Sequence, residues 1–248
     1  VASDPGFQLL EESMNDDRVI ALRAFSVACA AAACAWSAPA AAAPASGDTY
    51  VYRLVNGYSK EVRGQLRHRV DRVDPESITV AVTPDNAQAG FEHTTVFTKD
   101  GNSMRRLMES HGQKVDYLFS TAYPAYVFPL EPGKTWSLRV NASVPGAAGV
   151  RSVRVDGKVL GTERIRVPAG EFDTVKVRRL VYPGDAYYHL PETKIIETDW
   201  YAPALGRSVR TETRSEFFDL SRCDALSSCV YYGDWDVVEL VDAGAARK

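Results

Sequence analysis

The chain reads as a mostly β protein: one large curved antiparallel meander, of the half-barrel, open-barrel or sandwich-like kind, with little helix outside a leader segment. Three observations predict this. Apolar residues recur at every second position after Ser46, turn residues punctuate the runs, and the links between runs are short. A parallel return takes a dozen or more connecting residues, so short links imply antiparallel neighbours.

The beginning of the chain stands apart. Arg18 and Arg23 precede AFSVACAAAACAW, and SAPAAAAPAS follows. A basic start, a short apolar middle and a small-residue zone make a secretory signal. The apolar run is shorter than the ~20 residues of a membrane helix. Residues 14–45 are therefore expected to be a signal peptide cleaved between Ala40 and Ala45. Residues 1–13 read as a mis-annotated extension ahead of a true start at Met14, and 46–248 as a single β domain. A periplasmic location without a transmembrane span follows. Lipid anchoring at Cys34 is disfavoured, because Ala31 rather than a leucine lies three positions before it.

Five acids and two bases precede Ser46, leaving 27 of each sign after it. A neutral domain has no overall pull toward nucleic acid, which is excluded as a first guess. Cys223 and Cys229 are the cysteines left after processing. In an oxidising compartment they are expected to form a disulfide contributing about 2 kcal/mol.

In TYVYRLVN, Tyr50, Tyr52 and Leu54 share one face. In EVRGQLRHRVDRV, Val62, Leu66 and Val70 share a face with Gly64 and His68, opposite Glu61, Arg63, Gln65, Arg67, Arg69 and Asp71. Further strands are expected at 77–82, 91–99, 136–140, 150–155, 159–167, 174–182, 194–201, 208–218 and 230–241. Residues 101–123 read as a hairpin in preference to a helix over Met104 to His111. The clearest hairpin is RSVRVDGKVLGTERIRV, with Asp156 and Gly157 at its turn. Along 208–218, Arg210, Glu212, Arg214 and Glu216 alternate in sign on one face, the pattern of a solvated surface.

Three segments, YVFPLEPGKTW at 126–136, GTERIRVPAGEFDTVKV at 161–177 and TDWYAPALGRSVRTE at 198–212, resemble a family of exported bacterial β proteins grouped as a domain of unknown function. Its members carry PLxxGxxW, VPAGxF and WYxPxxGxV segments, and the resemblance brings no catalytic residues. The residues also have a physical reading as architecture. Pro132 and Gly133 make a turn that Trp136 anchors. Pro168 and Gly170 make a corner that Val167 and Phe172 hold to the core. Trp200, Pro203 and Gly206 form a third turn with its anchor.

Signals for chemistry are sparse. His68, His93, His111 and His189 are scattered, so neither a metal nor a cofactor is expected. No nucleophile elbow, P-loop or dinucleotide fingerprint is present. Asp185 with Glu192, or Glu197 with Asp199, could act as acid and base, which keeps a hydrolase as the alternative. Arg63, Arg67 and Arg69, with Arg164, Arg166, Arg178 and Arg179, could form a basic stripe. Tyr117, Phe119, Tyr123, Tyr126, Phe128, Tyr187 and Tyr188 could line an apolar opening. The leading expectation is a non-catalytic envelope module that binds an apolar or lipid-like ligand or an envelope protein. A purely structural envelope component is the third reading.

Overall fold

The computed structural model describes residues 44–187, 190–219, 221, 223 and 229–244. Residues 1–43, with the expected extension and nearly all of the expected signal peptide, lie outside them, as do Tyr188 and His189. The two-residue alternation becomes twelve strands. They are β1 (Thr49–Asn56), β2 (Val62–Val73), β3 (Ile78–Pro84), β4 (His93–Phe97), β5 (Ser103–Ser110) and β6 (Gln113–Tyr123). After a long link come β7 (Thr135–Ser143), β8 (Arg151–Val167), β9 (Gly170–Tyr182), β10 (Lys194–Ala202), β11 (Arg207–Phe218) and β12 (Val230–Gly244).

Each strand lies antiparallel to the next, and β1 pairs with β12, so the meander closes into a barrel. Closure was left open by the alternation alone. It is made by the register running from Thr49↔Gly244 to Asn56↔Asp236, which leaves neither terminal strand as a free edge. Inward rows are apolar: Val153, Val155 and Val159 of β8 face Val177 and Val181 of β9, Ile195 of β10 and Tyr117 of β6. Outward rows carry ion pairs such as Arg53–Glu239 and Arg210–Glu239, the reverse of the apolar belt of a membrane barrel. Among the described residues, no helix is long and apolar enough to cross a membrane.

Two hairpins close the barrel. In a meander, turns after odd strands lie at one end and turns after even strands at the other. The β5–β6 tip folds across the first end. His111 N–H donates to Thr193 Oγ1 (3.0 Å), and Lys114 Nζ reaches Asp236 (3.1 Å) and Glu109 (3.3 Å). A Cβ on Gly112 would meet Phe217 at 2.8 Å, so the tip lies flat on β11. The β8–β9 tip closes the second end. β9 stops pairing with β10 at Val175↔Tyr201, and the tip runs beyond it to β12, where Ala169 N–H donates to Leu240 C=O (3.0 Å). Val167, with Ile165 and Phe172, packs there against Tyr52, Trp200, Val209 and Leu240.

One expected hairpin is absent. Asp156 and Gly157 lie inside β8, which runs unbroken from Arg151 to Val167. The local turn signal loses to the neighbouring strand: Trp136 of β7 lies over Gly157, where a Cβ would come within 2.1 Å of the indole. Glycine is there to admit a ring, and its pairing with Trp136 on one side and Arg179 on the other is regular ladder. The expected hairpin over 101–123 is present as β5 and β6. At the start of β2, Val62 is exposed, because a register shift beside Val55 ends the inward row at Gly64.

Candidate functional site

The most concentrated chemistry lies in the middle of the barrel. Arg179 of β9 points inward in phase with Val177 and Val181, and it is 2% exposed. Glu197 and Asp199 point inward from β10 with Ile195 and Tyr201, Glu197 being 1% exposed. Arg179 Nε donates to Glu197 (3.0 Å), Nη2 to Asp199 (2.6 Å) and Nη1 to the Ala125 carbonyl (3.2 Å). Arg106 of β5 donates to the other Glu197 oxygen (2.5 Å). The Tyr123 hydroxyl donates to Glu197 and the Tyr126 hydroxyl to Asp199, each at 2.9 Å, and Thr211 Oγ1 donates to Asp199 (2.6 Å).

Burial alone would raise the Glu197 carboxyl, but Arg106 and Arg179 outweigh it and hold it down at about 2. Burial likewise opposes the Arg179 charge, and Asp199 and Glu197 overcome it, so the guanidinium keeps its proton. Burial, followed by the nearby carboxylate, pushes both the Tyr123 and Tyr126 hydroxyls well up. The acid pair read from the sequence does converge, yet as two carboxylates sharing one cation. Glu197 thus has no proton to give near neutrality and is already saturated as an acceptor. Asp185 and Glu192 are also tied down. Asp185 accepts from Ser110, from the Thr193 hydroxyl and from the Thr193 N–H, and Glu192 accepts from Gly184 N–H.

The expected aromatic lining divides. Tyr117, Phe119, Tyr123 and Tyr126 are buried in the main cluster, with the Tyr117 hydroxyl bonded to Arg151. Phe128 and Tyr187 are exposed, and Tyr188 lies outside the described residues. Of the architectural residues, Gly133 and Gly206 adopt left-handed φ values of 85° and 63°, and Gly206 N–H closes the Pro203 turn. Trp200 stands between Lys176 and Arg210 and donates to Glu163 (2.6 Å). Pro132 and Pro168 are exposed at their turns. Cys223 and Cys229 are bonded, with Cα atoms 4.9 Å apart.

The arginines form no common stripe. Arg63 pairs with Asp234 and Asp236, Arg164 with Asp173 and Arg166 with Glu171, while Arg178 and Arg179 point to opposite sides of the sheet. Arg67 and Arg69 border an outer groove of about 360 Å³ with Asp85. Among the described residues, no cluster of His, Cys, Asp or Glu could hold a metal ion.

A second feature was not legible from the sequence. β6 and β7 pair only at Leu118↔Ser143 and Phe119↔Ala142. Beyond these the strands no longer pair; β6 ends at Tyr123, whose hydroxyl, like that of Tyr126 in the following link, reaches the carboxylates. Leu138 is an inward position of β7, opposite Val155, yet it is 43% exposed where Val155 is 0%. A groove of about 350 Å³ lies where the two strands still pair, lined by Leu118, Phe119, Ser120, Asn141 and Val150 among others. The clue to the ionic centre was Arg179 in phase with two valines. Nothing local marks Leu138, which reads as core.

These features define a closed twelve-stranded antiparallel barrel with an ionic centre and a lateral seam between β6 and β7. No protein-family model matches the sequence, and no curated protein matches it. Three solved structures are similar in outline. One is a protein from Bacteroides fragilis described as exported, with a YmcC-like fold: 18% identical over 79% of this chain and 95% of that one, TM-score 0.44. A second, from Parabacteroides distasonis and described as a lipoprotein, is 14% identical over 80% of this chain and 95% of that one, TM-score 0.46. The third is YmcC of Escherichia coli, described as a hypothetical lipoprotein: 10% identical over 79% of this chain and 84% of that one, TM-score 0.39.

Proposed function

We propose that this chain is a non-catalytic module of the bacterial cell envelope that binds a partner on the outside of its barrel, at the seam between β6 and β7. The compartment rests on the leader before Ser46 and suits the Cys223–Cys229 bond. The binding reading is carried by Leu138: an apolar side chain on the inward row of β7, left open to water where β6 no longer pairs. A ligand held inside the barrel is the weaker form of the reading. The tyrosines expected to greet it spend their hydroxyls on Glu197 and Asp199, and the hairpin tips lie across both ends.

A photo-reactive residue placed at position 138 in the native host should give an adduct with a discrete envelope partner, and the same residue at exposed Tyr232 should not. Equal adducts from both positions, or none from 138, would overturn the seam as the binding surface. Lipid released from the protein in native mass spectrometry would favour the internal ligand instead.

A further inference from the structure

The seam exposes main chain as well as an apolar side chain. β7 is paired with β8 from Thr135 to Ala142, whereas its other edge meets β6 only at Ala142 and Ser143. Ser120 Oγ donates to the Asn141 carbonyl (3.2 Å), so that carbonyl points toward β6. Main-chain groups of a strand alternate in direction with a period of two. The N–H and C=O of Thr135, Ser137 and Arg139 therefore point the same way, and among the described residues no strand pairs with them. Such an edge is a template for another extended backbone.

The outer side of this edge is positively charged. Arg139 is exposed and has no ion-pair partner among the described residues, and Lys158 and Arg178, exposed on the same outer face, have none either. The nearby acid, Asp156, is occupied by Arg154 and Ser137. A strand laid along β7 would thus meet a cationic outer row at Arg139 and an apolar inner row at Leu138.

Building on the seam as the docking surface, we propose that β7 binds its partner by strand addition. The partner contributes an extended acidic segment whose apolar residues alternate with carboxylates, the former lying over Leu138 and the latter facing Arg139. Backbone pairing supplies the register, and charge supplies the choice of segment.

The test uses the purified protein and a fluorescent peptide of about eight residues alternating valine and glutamate, the length of an ordinary strand. Fluorescence anisotropy should show saturable binding, weakened at least about tenfold by Arg139→Glu. Backbone N-methylation of the peptide on alternate residues should abolish binding in one phase and spare it in the other, a readout that charge alone would not move. No saturable binding, equal loss in both phases, or equal binding of a valine–lysine peptide would overturn strand addition. A concentration-dependent dimer that competes with the peptide would overturn it in favour of a second copy of this chain. If position 138 still yields a partner adduct while the peptide fails, the docking surface stands and strand addition alone falls.

Discussion

Arg179 and Glu197 face each other across the β9–β10 ladder as direct register partners, and their side chains meet at 3.0 Å in the middle of the barrel. Asp199 takes the second arm of the same guanidinium. Removing one member of a buried set leaves a charge without compensation, whereas replacing the whole set with neutral groups can be nearly free. Arg179→Met should therefore lower unfolding stability by about 3–5 kcal/mol in urea titrations. Adding Asp199→Asn to that variant, which leaves the Arg106–Glu197 pair in place, should recover most of the loss. A cost under about 1 kcal/mol for Arg179→Met, the size of an exposed pair, would mean that water reaches the network.

Acid should weaken the fold in two overlapping windows. Burial, then the charges of Arg207 and His93, push the inward-facing His68 imidazole down from 6.5 to about 3. The unfolded chain then binds a proton that the folded one refuses, so this contribution is complete above pH 6.5 and is lost as pH falls toward 3. Glu197, held at about 2 against an ordinary 4.5, contributes fully above pH 4.5 and loses its contribution between 4.5 and 2. Thermal melts of His68→Gln should show a flatter decline between pH 6.5 and 4.5, before Glu197 begins to titrate. An unchanged slope there would remove His68 as the cause.

The contact between Gly157 and Trp136 gives a packing test. A methyl group on Gly157 would come within 2.1 Å of the indole, so Gly157→Ala should cost about 1–3 kcal/mol through overpacking. Combining it with Trp136→Leu should cost less than the sum of the two single changes, because the smaller side chain vacates the space. Strict additivity in chemical denaturation would show that the two residues do not press on each other.

At the other end of the barrel, Ala169→Pro would remove the N–H that reaches Leu240. The expected loss is about 1 kcal/mol, with faster amide exchange confined to the tip from Ile165 to Phe172. Unchanged exchange at Ile165 and Phe172 would mean that the tip is held by its apolar contacts alone.

The sequence by itself determined the strands and their faces, because the two-residue repeat is a local property of a pleated backbone whose one side is dry. It put Glu197 and Asp199 on one face and left β5 and β6 as a hairpin. Asp156 and Gly157 misled because a turn signal is also local, while the indole that requires the glycine sits on another strand. Only the tertiary structure decided that β1 would meet β12, that Arg106 and Arg179 would neutralise carboxylates 91 and 18 residues away, and that β6 would pair with β7 at two positions alone. Those outcomes depend on which strands become neighbours. Alternation fixes the side a residue faces but carries no information about what will stand opposite it.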